Sequence, residues 1–279
     1  MHKKIVFLIV IYDKMLSEST TIASLLSSSV SGVSIVIHNN GPRTIELSSN
    51  IADSFRSKDV EIELVNCISN MPLGSLYNKF IEDSIFAEKI ILLDDDSEIS
   101  NSFIEAIYEN DYDIQMPLII SRSDNQIMYP ITDGKSIKTE GFLKPYRTHS
   151  IGSGLVINRT LIDKFKKNNM KLFDECYALY GVDFSLFRRA WKLASGGEIF
   201  VFKSSSYLTH SLSRLEGKDN AFRRKERLID IAITTRNYPS TRATMSFCKI
   251  ILKNIFLLKF DDVITMCEAF CRGRHPRCN

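Results

Sequence analysis

The sequence predicts an α/β protein with a mostly parallel mixed sheet flanked by helices, and with a helical C-terminal extension. Two observations predict this architecture. Short apolar runs rich in β-branched residues alternate with segments of helical period, as in parallel strands joined by right-handed crossovers. The composition, 44% apolar and 25% charged in a chain of 279 residues, is that of a folded protein with a full core.

The first strand is predicted at residues 5–12, a continuous apolar run that indicates burial on both faces of a sheet. Further strands are predicted at residues 33–38, 60–66 and 89–93, with helices at residues 17–29, 44–57 and 74–86. Asn39-Asn40-Gly41-Pro42 is a strong turn signal at the end of the second strand. In such sheets the carboxyl ends of the parallel strands share one edge, and ligands bind there.

The C-terminal part of the chain differs from the rest in charge. The whole chain has a formal charge of +3, which argues against a dedicated nucleic-acid binder. Residues 214–279 alone hold 14 Lys and Arg against 7 Asp and Glu. We therefore expect a catalytic domain over residues 1–213 and a basic helical extension over residues 214–279. Residues 246–260 are apolar but interrupted by lysines, which predicts a helix that lies on a membrane surface, packs on the domain or forms a dimer.

The expected location is the cytoplasm, because no apolar run can span a bilayer and no signal-peptide cleavage site follows the first run. The six cysteines are then expected to be reduced. Cys267, Cys271, His275 and Cys278 offer ligand types that zinc prefers, although their spacing is not a common zinc pattern. A zinc site and free thiols are both open for this group.

Three consecutive carboxylates, Asp94, Asp95 and Asp96, follow the fourth predicted strand directly. They form either a solvated turn or a divalent-cation site, since Mg²⁺ and Mn²⁺ prefer oxygen ligands. Asn39, Asn40 and Asn70 follow earlier strands and are expected at the same edge. No P-loop and no G-x-G-x-x-G motif is present, so kinase, NTPase and dinucleotide-binding interpretations lose their usual support.

A second group of candidate residues lies between residues 151 and 210. Gly152-Ser153-Gly154 is either a simple turn or a close approach to a ligand. Asp183 begins an amphipathic helix, where it is either a helix cap or a general base. His210 follows a β-rich stretch and, as a lone histidine, is more often structural. Residues 134–150 are interpreted as a loop, either near an acceptor or on the surface.

Taken together, these residues resemble family 2 glycosyltransferases with the GT-A nucleotide-sugar fold, and in style the rhamnosyltransferase-like branch of bacterial surface-polysaccharide enzymes. The resemblance covers about residues 4–213. It rests on residues 5–12, Val36-Ile37-His38-Asn39-Asn40-Gly41, Asn70-x3-Gly74-x3-Asn78, Leu92-Leu93-Asp94-Asp95-Asp96-Ser97, and Gly152-Ser153-Gly154 through Tyr180-Gly181-Val182-Asp183 to Thr209-His210. Each block is weak alone, but their order makes coincidence improbable.

The resemblance implies roles for individual residues. Mn²⁺ or Mg²⁺ would be held at Asp94 and Asp96 with His210 nearby, and Asp183 would be the catalytic base. The donor-binding positions would be Tyr12, Asn39, Asn40, Asn70, Asn78, Asp94 and Asp95, and the acceptor-binding positions Gly152, Ser153, Gly154, Tyr180 and Gly181. Many relatives carry an aspartate after the second strand where Asn39 or Asn40 stands here, which leaves the nucleotide open.

The implied activity is that of an inverting hexosyltransferase. It would move a sugar from UDP-hexose or dTDP-rhamnose to a hydroxyl of a lipid-diphosphate-linked or oligosaccharide acceptor in O-antigen, lipopolysaccharide or capsule biosynthesis. Such an enzyme is expected at the inner face of the bacterial cytoplasmic membrane. The alternative is a nucleotide-sugar-binding protein or membrane-surface scaffold without transferase activity. A nucleotidyltransferase is disfavoured, because residues 13–19 lack a glycine-rich basic loop.

Overall fold

A computed structural model of the chain describes residues 3–212 and 221–278, so the expected domain boundary at residue 213 lies outside the described residues. In chain order the strands are β1 (Ile5–Ile11), β2 (Ser34–Asn39), β3 (Glu61–Asn66), β4 (Lys89–Asp94), β5 (Ser97–Ile99), β6 (Ile114–Gln115), β7 (Leu118–Ser121), β8 (Ile127–Tyr129), β9 (Ile131–Thr132), β10 (Lys135–Ser136), β11 (Gly141–Leu143), β12 (Thr148–His149), β13 (Leu155–Asn158), β14 (Phe202–Ser204) and β15 (Tyr207–His210). The helices are α1 (Thr20–Ser27), α2 (Ser49–Arg56), α3 (Leu73–Asp83), α4 (Asn101–Ala106), α5 (Arg159–Lys167), α6 (Val182–Ser195), α7 (Ala221–Asn237), α8 (Thr241–Phe256) and α9 (Phe260–Arg272).

The central sheet has eight strands in the order β11-β14-β6-β13-β4-β1-β2-β3. Strands β4, β1, β2 and β3 run parallel and therefore end at the same edge. Strand β13 runs antiparallel between β4 and β6, so the sheet is mixed. The α/β architecture and the mixed sheet that the sequence predicts are confirmed.

Each face of the central sheet carries its own apolar core. On β1, Val6 and Leu8 belong to the core under α3, α5 and α6, whereas Phe7 and Ile9 belong to the core under α1, α2 and α4. A strand buried on both faces needs apolar residues at every position, which explains why residues 5–12 show no alternation. The C-terminal helices α7 and α9 join the first core through Ile233 and Met266.

A second sheet has four strands in the order β5-β15-β7-β8. Strand β5 begins directly after the aspartate triplet and pairs antiparallel with β15, with Ser97 opposite His210. These two residues are 113 positions apart in the sequence. The pairing thus carries the end of β15 to the carboxyl end of β4.

Three segments differ from the expectations of the sequence. Residues 44–48 are not helical, because the Asn66 side chain bonds to the backbone of Ile45 at 2.9 and 3.0 Å and α2 begins only after Ser48 caps it. The loop expected at residues 134–150 contains β10, β11 and β12, which pair with β9 or β14. The apolar stretch 246–260 is divided, because α8 ends at Phe256 and α9 begins at Phe260.

The C-terminal cysteine group shows no metal-site geometry. Cys267 and Cys271 are exposed while Cys278 is buried. The His275 Nε2 atom lies 3.1 Å from Glu226 Oε1, and the His275 Nδ1 atom accepts a hydrogen bond from the Arg277 backbone. Within the described ranges these four residues form no cluster able to hold a metal ion. Across residues 3–212 and 221–278, no helix has the length and apolar character needed to cross a membrane.

Candidate active site

The carboxyl edge of the parallel strands gathers the polar residues that the sequence singled out. The register places Ile11 beside Asn39, Asn39 beside Asn66 and Val10 beside Asp94. The segments that follow these strands therefore leave the sheet at one edge. The β5–β15 pairing adds His210 to the same place.

At this edge Asp94, Asp96 and His210 each offer one ligand atom, and these atoms all lie within 4.8 Å of one another. The His210 Nδ1 atom is 3.1 Å from Asp96 Oδ1, and the Nε2 atom is 3.8 Å from Asp94 Oδ2. In the part of the chain that the structure describes, this is the one cluster of three or more such groups. Two carboxylates and an imidazole form a ligand set that divalent cations such as Mn²⁺ accept.

The surroundings of Asp96 Oδ1 show whether a cation fits this cluster. Asp96 Oδ1 is buried, and within the described ranges its polar neighbour is His210 Nδ1 at 3.1 Å, an atom that also lies 3.0 Å from Ser97 Oγ and is not aligned to donate to the carboxylate. A buried carboxylate oxygen without a hydrogen bond is costly, unless a cation or solvent satisfies it. The donor set and this oxygen both fit a divalent metal ion.

The triplet is held rigidly from three directions. Thr21 Oγ1 donates to the Asp94 carbonyl at 2.6 Å and accepts from the Ser97 backbone N–H at 2.9 Å. Ser153 Oγ accepts from the Asp94 backbone N–H at 3.0 Å and lies 2.7 Å from Ser97 Oγ. Lys14 Nζ pairs with Asp95 Oδ1 at 2.6 Å. Sequence reasoning missed Thr21 and Lys14, because neither lies in a recognisable motif.

Negative charge is concentrated in this cluster. Loss of hydration, followed by the charges of Asp96 and Asp183, raises the pKa of Asp94 well above its usual value. Loss of hydration also raises the pKa of Asp96, although the nearby His210 opposes the shift. A cation bound among these groups would offset both the lost hydration and the repulsion between the carboxylates.

Asp183 lies in the first turn of α6, after Gly181 in the left-handed conformation with φ of 81°. A Cβ atom on Gly152 would lie 2.5 Å from Asp183 Oδ1, so a larger residue there would displace the carboxylate. Burial raises the pKa of Asp183 to about 6, a backbone hydrogen bond from Gly152 lowers it, and the charge of Asp230 raises it. A carboxylate with a pKa near neutrality is suited to take up a proton.

The residues Gly152 and Ser153 join the two halves of the site. Gly152 contacts the Asp183 carboxylate, and the next residue, Ser153, bonds to the Asp94 backbone. Gly154 follows with φ of +86° and approaches Pro117 so closely that a Cβ atom would lie 2.6 Å from its ring. Of the three expected acceptor residues in this turn, Ser153 therefore lies at the aspartate triplet and Gly152 at Asp183.

Helix α7 contributes to the wall behind Asp183, which sequence reasoning did not foresee. A Cβ atom on Gly181 would lie 2.2 Å from Asp230 Oδ1. The Arg227 guanidinium lies 5.6 Å from the centre of the Tyr180 ring. Tyr180 and Gly181, both expected near the acceptor, are thus packed against the C-terminal helices.

Asn39 and Asn40 are buried and serve the turns around them. Asn39 donates to the Arg43 carbonyl and to Asn66 Oδ1, both at 2.6 Å, and accepts from the Gly41 N–H. Asn40 exchanges two hydrogen bonds with the Met71 backbone. These amides shape the loops at the ends of β2 and β3.

Among the donor-binding candidates outside the aspartate triplet, Tyr12 and Asn70 are the more accessible. Tyr12 is half-exposed at the end of β1, and Asn70 is partly buried with φ of 51°. Beside Tyr12, a small cleft is lined by Asp13, Lys14, Met15, Asn39, Gly41, Arg43, Thr44 and Ile45. Asp13 and Arg43 form an ion pair at 2.9 Å across this cleft.

Asn78 is buried, and it fixes the segment that leads towards Asp183. It donates to the Phe173 carbonyl at 2.8 Å and accepts from the Phe173 N–H at 3.1 Å. We expect Asn78→Leu to lower the free energy of unfolding by about 1–3 kcal/mol, because both backbone groups lose their partner. Urea unfolding measures this change.

The control for this variant is Asn50→Ala on the exposed side of α2, which should shift stability by less than about 0.5 kcal/mol. A stable Asn78→Leu protein with weakened nucleotide-sugar binding would instead make Asn78 a direct donor contact.

Comparison with known proteins identifies the fold of this chain. No protein-family model matches the sequence, and no curated protein sequence matches it. Among solved structures, S. aureus TarS 1-349 in complex with UDP-GlcNAc matches with a TM-score of 0.53 and 12% identity, covering 99% of this chain and 82% of that one. A further structure of TarS 1-349 matches with a TM-score of 0.51 and 12% identity, covering 98% and 93%.

A third neighbour is the mannosyltransferase PcManGT from Pyrobaculum calidifontis, in complex with GDP-Man and Mn²⁺. It matches with a TM-score of 0.50 and 10% identity, covering 98% of this chain and 75% of that one. These neighbours are GT-A glycosyltransferases, and the chain has the GT-A fold. At such low identity the likeness shows the fold alone.

Proposed function

We propose that this protein is a metal-dependent inverting glycosyltransferase that uses a nucleotide-diphosphate sugar. The observation that carries the proposal is the pairing of an Asp94–Asp96–His210 cluster with Asp183 at the carboxyl edge of a GT-A sheet. Gly152 and Ser153 tie the two halves together. One half suits a diphosphate with its cation, and the other suits a reacting hydroxyl.

The donor half would bind Mn²⁺ or Mg²⁺ through Asp94, Asp96 and His210. A divalent cation there supplies charge stabilisation for the diphosphate as it leaves. Arg122 is exposed beside the cluster, with its guanidinium 3.4 Å from the Asp96 carbonyl. We propose that its guanidinium contacts the diphosphate of the bound donor. Tyr12 and the cleft beside it would receive the nucleoside.

The acceptor half acts through Asp183. Its carboxylate takes the proton of the acceptor hydroxyl while that oxygen bonds to the anomeric carbon. The bond from the anomeric carbon to the phosphate oxygen breaks, and its electron pair leaves with the nucleoside diphosphate. Attack from the face opposite the leaving group inverts the anomeric configuration.

The proposed donor, acceptor and cellular setting rest on the sequence motifs that resemble family 2 glycosyltransferases. Their resemblance to rhamnosyltransferase-like enzymes supports UDP-hexose or dTDP-rhamnose as donor, and a lipid-diphosphate-linked or oligosaccharide hydroxyl as acceptor. The UDP-GlcNAc and GDP-Man bound by two structural neighbours widen the donors worth testing. The proposed setting is bacterial surface-polysaccharide synthesis at the inner face of the cytoplasmic membrane.

A donor screen tests the proposal. Purified protein with Mn²⁺ or Mg²⁺ is given UDP-hexoses, UDP-N-acetylhexosamines, dTDP-rhamnose and GDP-sugars, with a lipid-diphosphate-linked sugar present. We expect metal-dependent release of nucleoside diphosphate from one donor. Direct binding of the same donors is measured by calorimetry, because a wrong acceptor blocks turnover but not binding. Absence of binding by every sugar nucleotide would overturn the proposal.

A further inference from the structure

The outer side of α8 carries an apolar stripe that no described residue covers. Met245, Leu252 and Phe256 are 73%, 66% and 87% exposed. Their spacings of seven and four positions place them on one side of the helix. The opposite side holds Phe247 and Ile250, which pack on the protein core. The helix thus has a second apolar side that faces away from the protein.

The turn between α8 and α9 extends this stripe. Leu258 is 74% exposed with φ of 56°, a strained conformation for a branched apolar residue. Hydrogen bonds from Leu258 N–H to the Ile255 carbonyl and from Lys259 N–H to the Asn254 carbonyl fix the turn. We define the α8–α9 apolar surface by its exposed residues Met245, Leu252, Ile255, Phe256, Leu257, Leu258, Phe260 and Ile264.

The charges around this surface indicate what covers it. Residues 241–260 contain Arg242, Lys249, Lys253 and Lys259 and no acidic residue. At 100° per residue, Arg242, Lys249 and Lys253 fall along one border of the stripe. At the start of α9, Asp262 is buried and pairs with Arg224 at 3.0 Å, whereas the exposed Asp261 offsets one of these four cations, so the surface keeps a net positive border. A second copy of the chain would bring the same positive charge, whereas an anionic lipid surface attracts it.

The length of α8 sets how it meets a bilayer. Its 16 residues span about 24 Å, less than the roughly 30 Å of a hydrocarbon core, and lysines interrupt it. A helix with an apolar side and a basic border lies in the plane of the membrane interface instead. The exposed side chains of Phe256 and Leu258 would then enter the region between headgroups and acyl chains.

We propose that the α8–α9 apolar surface docks this protein onto an anionic lipid bilayer, with α8 parallel to the membrane plane. This attachment does not depend on the proposed transferase chemistry, since it uses residues of the C-terminal helices alone.

Vesicle flotation with the full chain tests the proposal. One set of vesicles is phosphatidylcholine alone, and the other contains in addition a large fraction of phosphatidylglycerol. We expect the protein to float with the anionic vesicles and to stay largely unbound with the neutral ones. Phe256→Ser combined with Leu258→Asn should reduce partitioning by about tenfold or more. Asparagine tolerates a positive φ, so this variant should keep its fold.

Matched variants distinguish the contribution of the apolar side chains to vesicle binding from that of the basic side chains. Ile85→Ser with Ile199→Ser removes two equally exposed apolar side chains elsewhere and should leave flotation unchanged. Lys249→Gln with Lys253→Gln should reduce binding to anionic vesicles by about tenfold, and raised salt should mimic this loss.

Three results would overturn the proposal. One is no flotation of the wild-type chain, and another is equal flotation with both kinds of vesicle. The third is a dimer in light scattering that Phe256→Ser with Leu258→Asn abolishes, which would assign the surface to a second copy of the chain. Circular dichroism melting confirms that each variant is folded.

Discussion

Asp183→Asn is expected to lower kcat by about 10²–10⁴-fold, the usual contribution of general acid–base catalysis. The amide keeps the shape of the side chain in the first turn of α6 but cannot accept the acceptor's proton. The affinity for the sugar nucleotide should stay near that of the wild type, because the donor half of the site lies at Asp94 and Asp96. Steady-state kinetics and donor calorimetry measure the two effects separately.

Asp163→Asn is the matched control, since it removes an exposed carboxylate from α5 away from the site. Its kcat should equal that of the wild type. Thermal melting of Asp183→Asn should show no loss of stability, because the raised pKa of Asp183 means that its charge is unfavourable in the folded protein. A near-normal rate for Asp183→Asn would show that another group accepts the proton.

The same residue sets an expected pH dependence. With a pKa of about 6, Asp183 is protonated and inactive as a base at low pH. We expect kcat/KM to fall about tenfold per pH unit below that value and to level off above it. Asp230→Asn removes a charge that raises the pKa of Asp183, so it should move this limb to lower pH. An unchanged pH profile in Asp230→Asn would show that Asp230 does not affect the pKa of the group that titrates.

Asp96→Ala is expected to abolish the response to Mn²⁺ or Mg²⁺ and to lower turnover by a factor on the order of 10³, since metal stabilisation of a leaving group is worth several kcal/mol. The Asp96 carboxylate lies against His210, and its buried Oδ1 atom is 3.1 Å from Nδ1 of that ring. Metal binding is measured directly by Mn²⁺ electron paramagnetic resonance, with and without donor.

Asp95→Asn provides the comparison within the same loop. Asp95 pairs with Lys14 and stands outside the proposed metal-binding cluster, so its removal should leave Mn²⁺ binding intact. Unchanged metal binding in Asp96→Ala, or loss in Asp95→Asn alone, would contradict the assignment of the cluster. His210→Gln should weaken Mn²⁺ binding less than Asp96→Ala does, because it removes a neutral ligand rather than a charged one.

The sequence predicts the parallel half of the fold well, and the physical reason is burial. Strand β1 and most of β4 are buried, so both read as continuous apolar runs. The start of α2 was less predictable, because it depends on the Asn66 side chain holding Ile45 from another strand. The strands within residues 134–150 are two or three residues long and too polar to show a period.

The site could be predicted only in part. The aspartate triplet alone left a turn and a metal site equally open, and the resemblance to known enzymes added His210. The pairing of β5 with β15 shows why that histidine is close, through a register that no local pattern reveals. The roles of Thr21 and Asp230 could not be predicted, because both act through contacts made by folding. Asn78 forms hydrogen bonds with the Phe173 backbone, so its role in donor binding stays a prediction.

The contacts of Gly152 and Ser153 have a consequence for how specificity can diversify on this scaffold. A single peptide unit lies between the proposed base and the proposed metal ligand, because Gly152 contacts Asp183 while Ser153 holds Asp94. The separation of these two carboxylates is therefore fixed by the backbone of residues 152 and 153. Engineering for larger sugars or different acceptors should succeed in the surrounding loops, whereas insertions between residues 152 and 153 should inactivate the protein whatever the substrate.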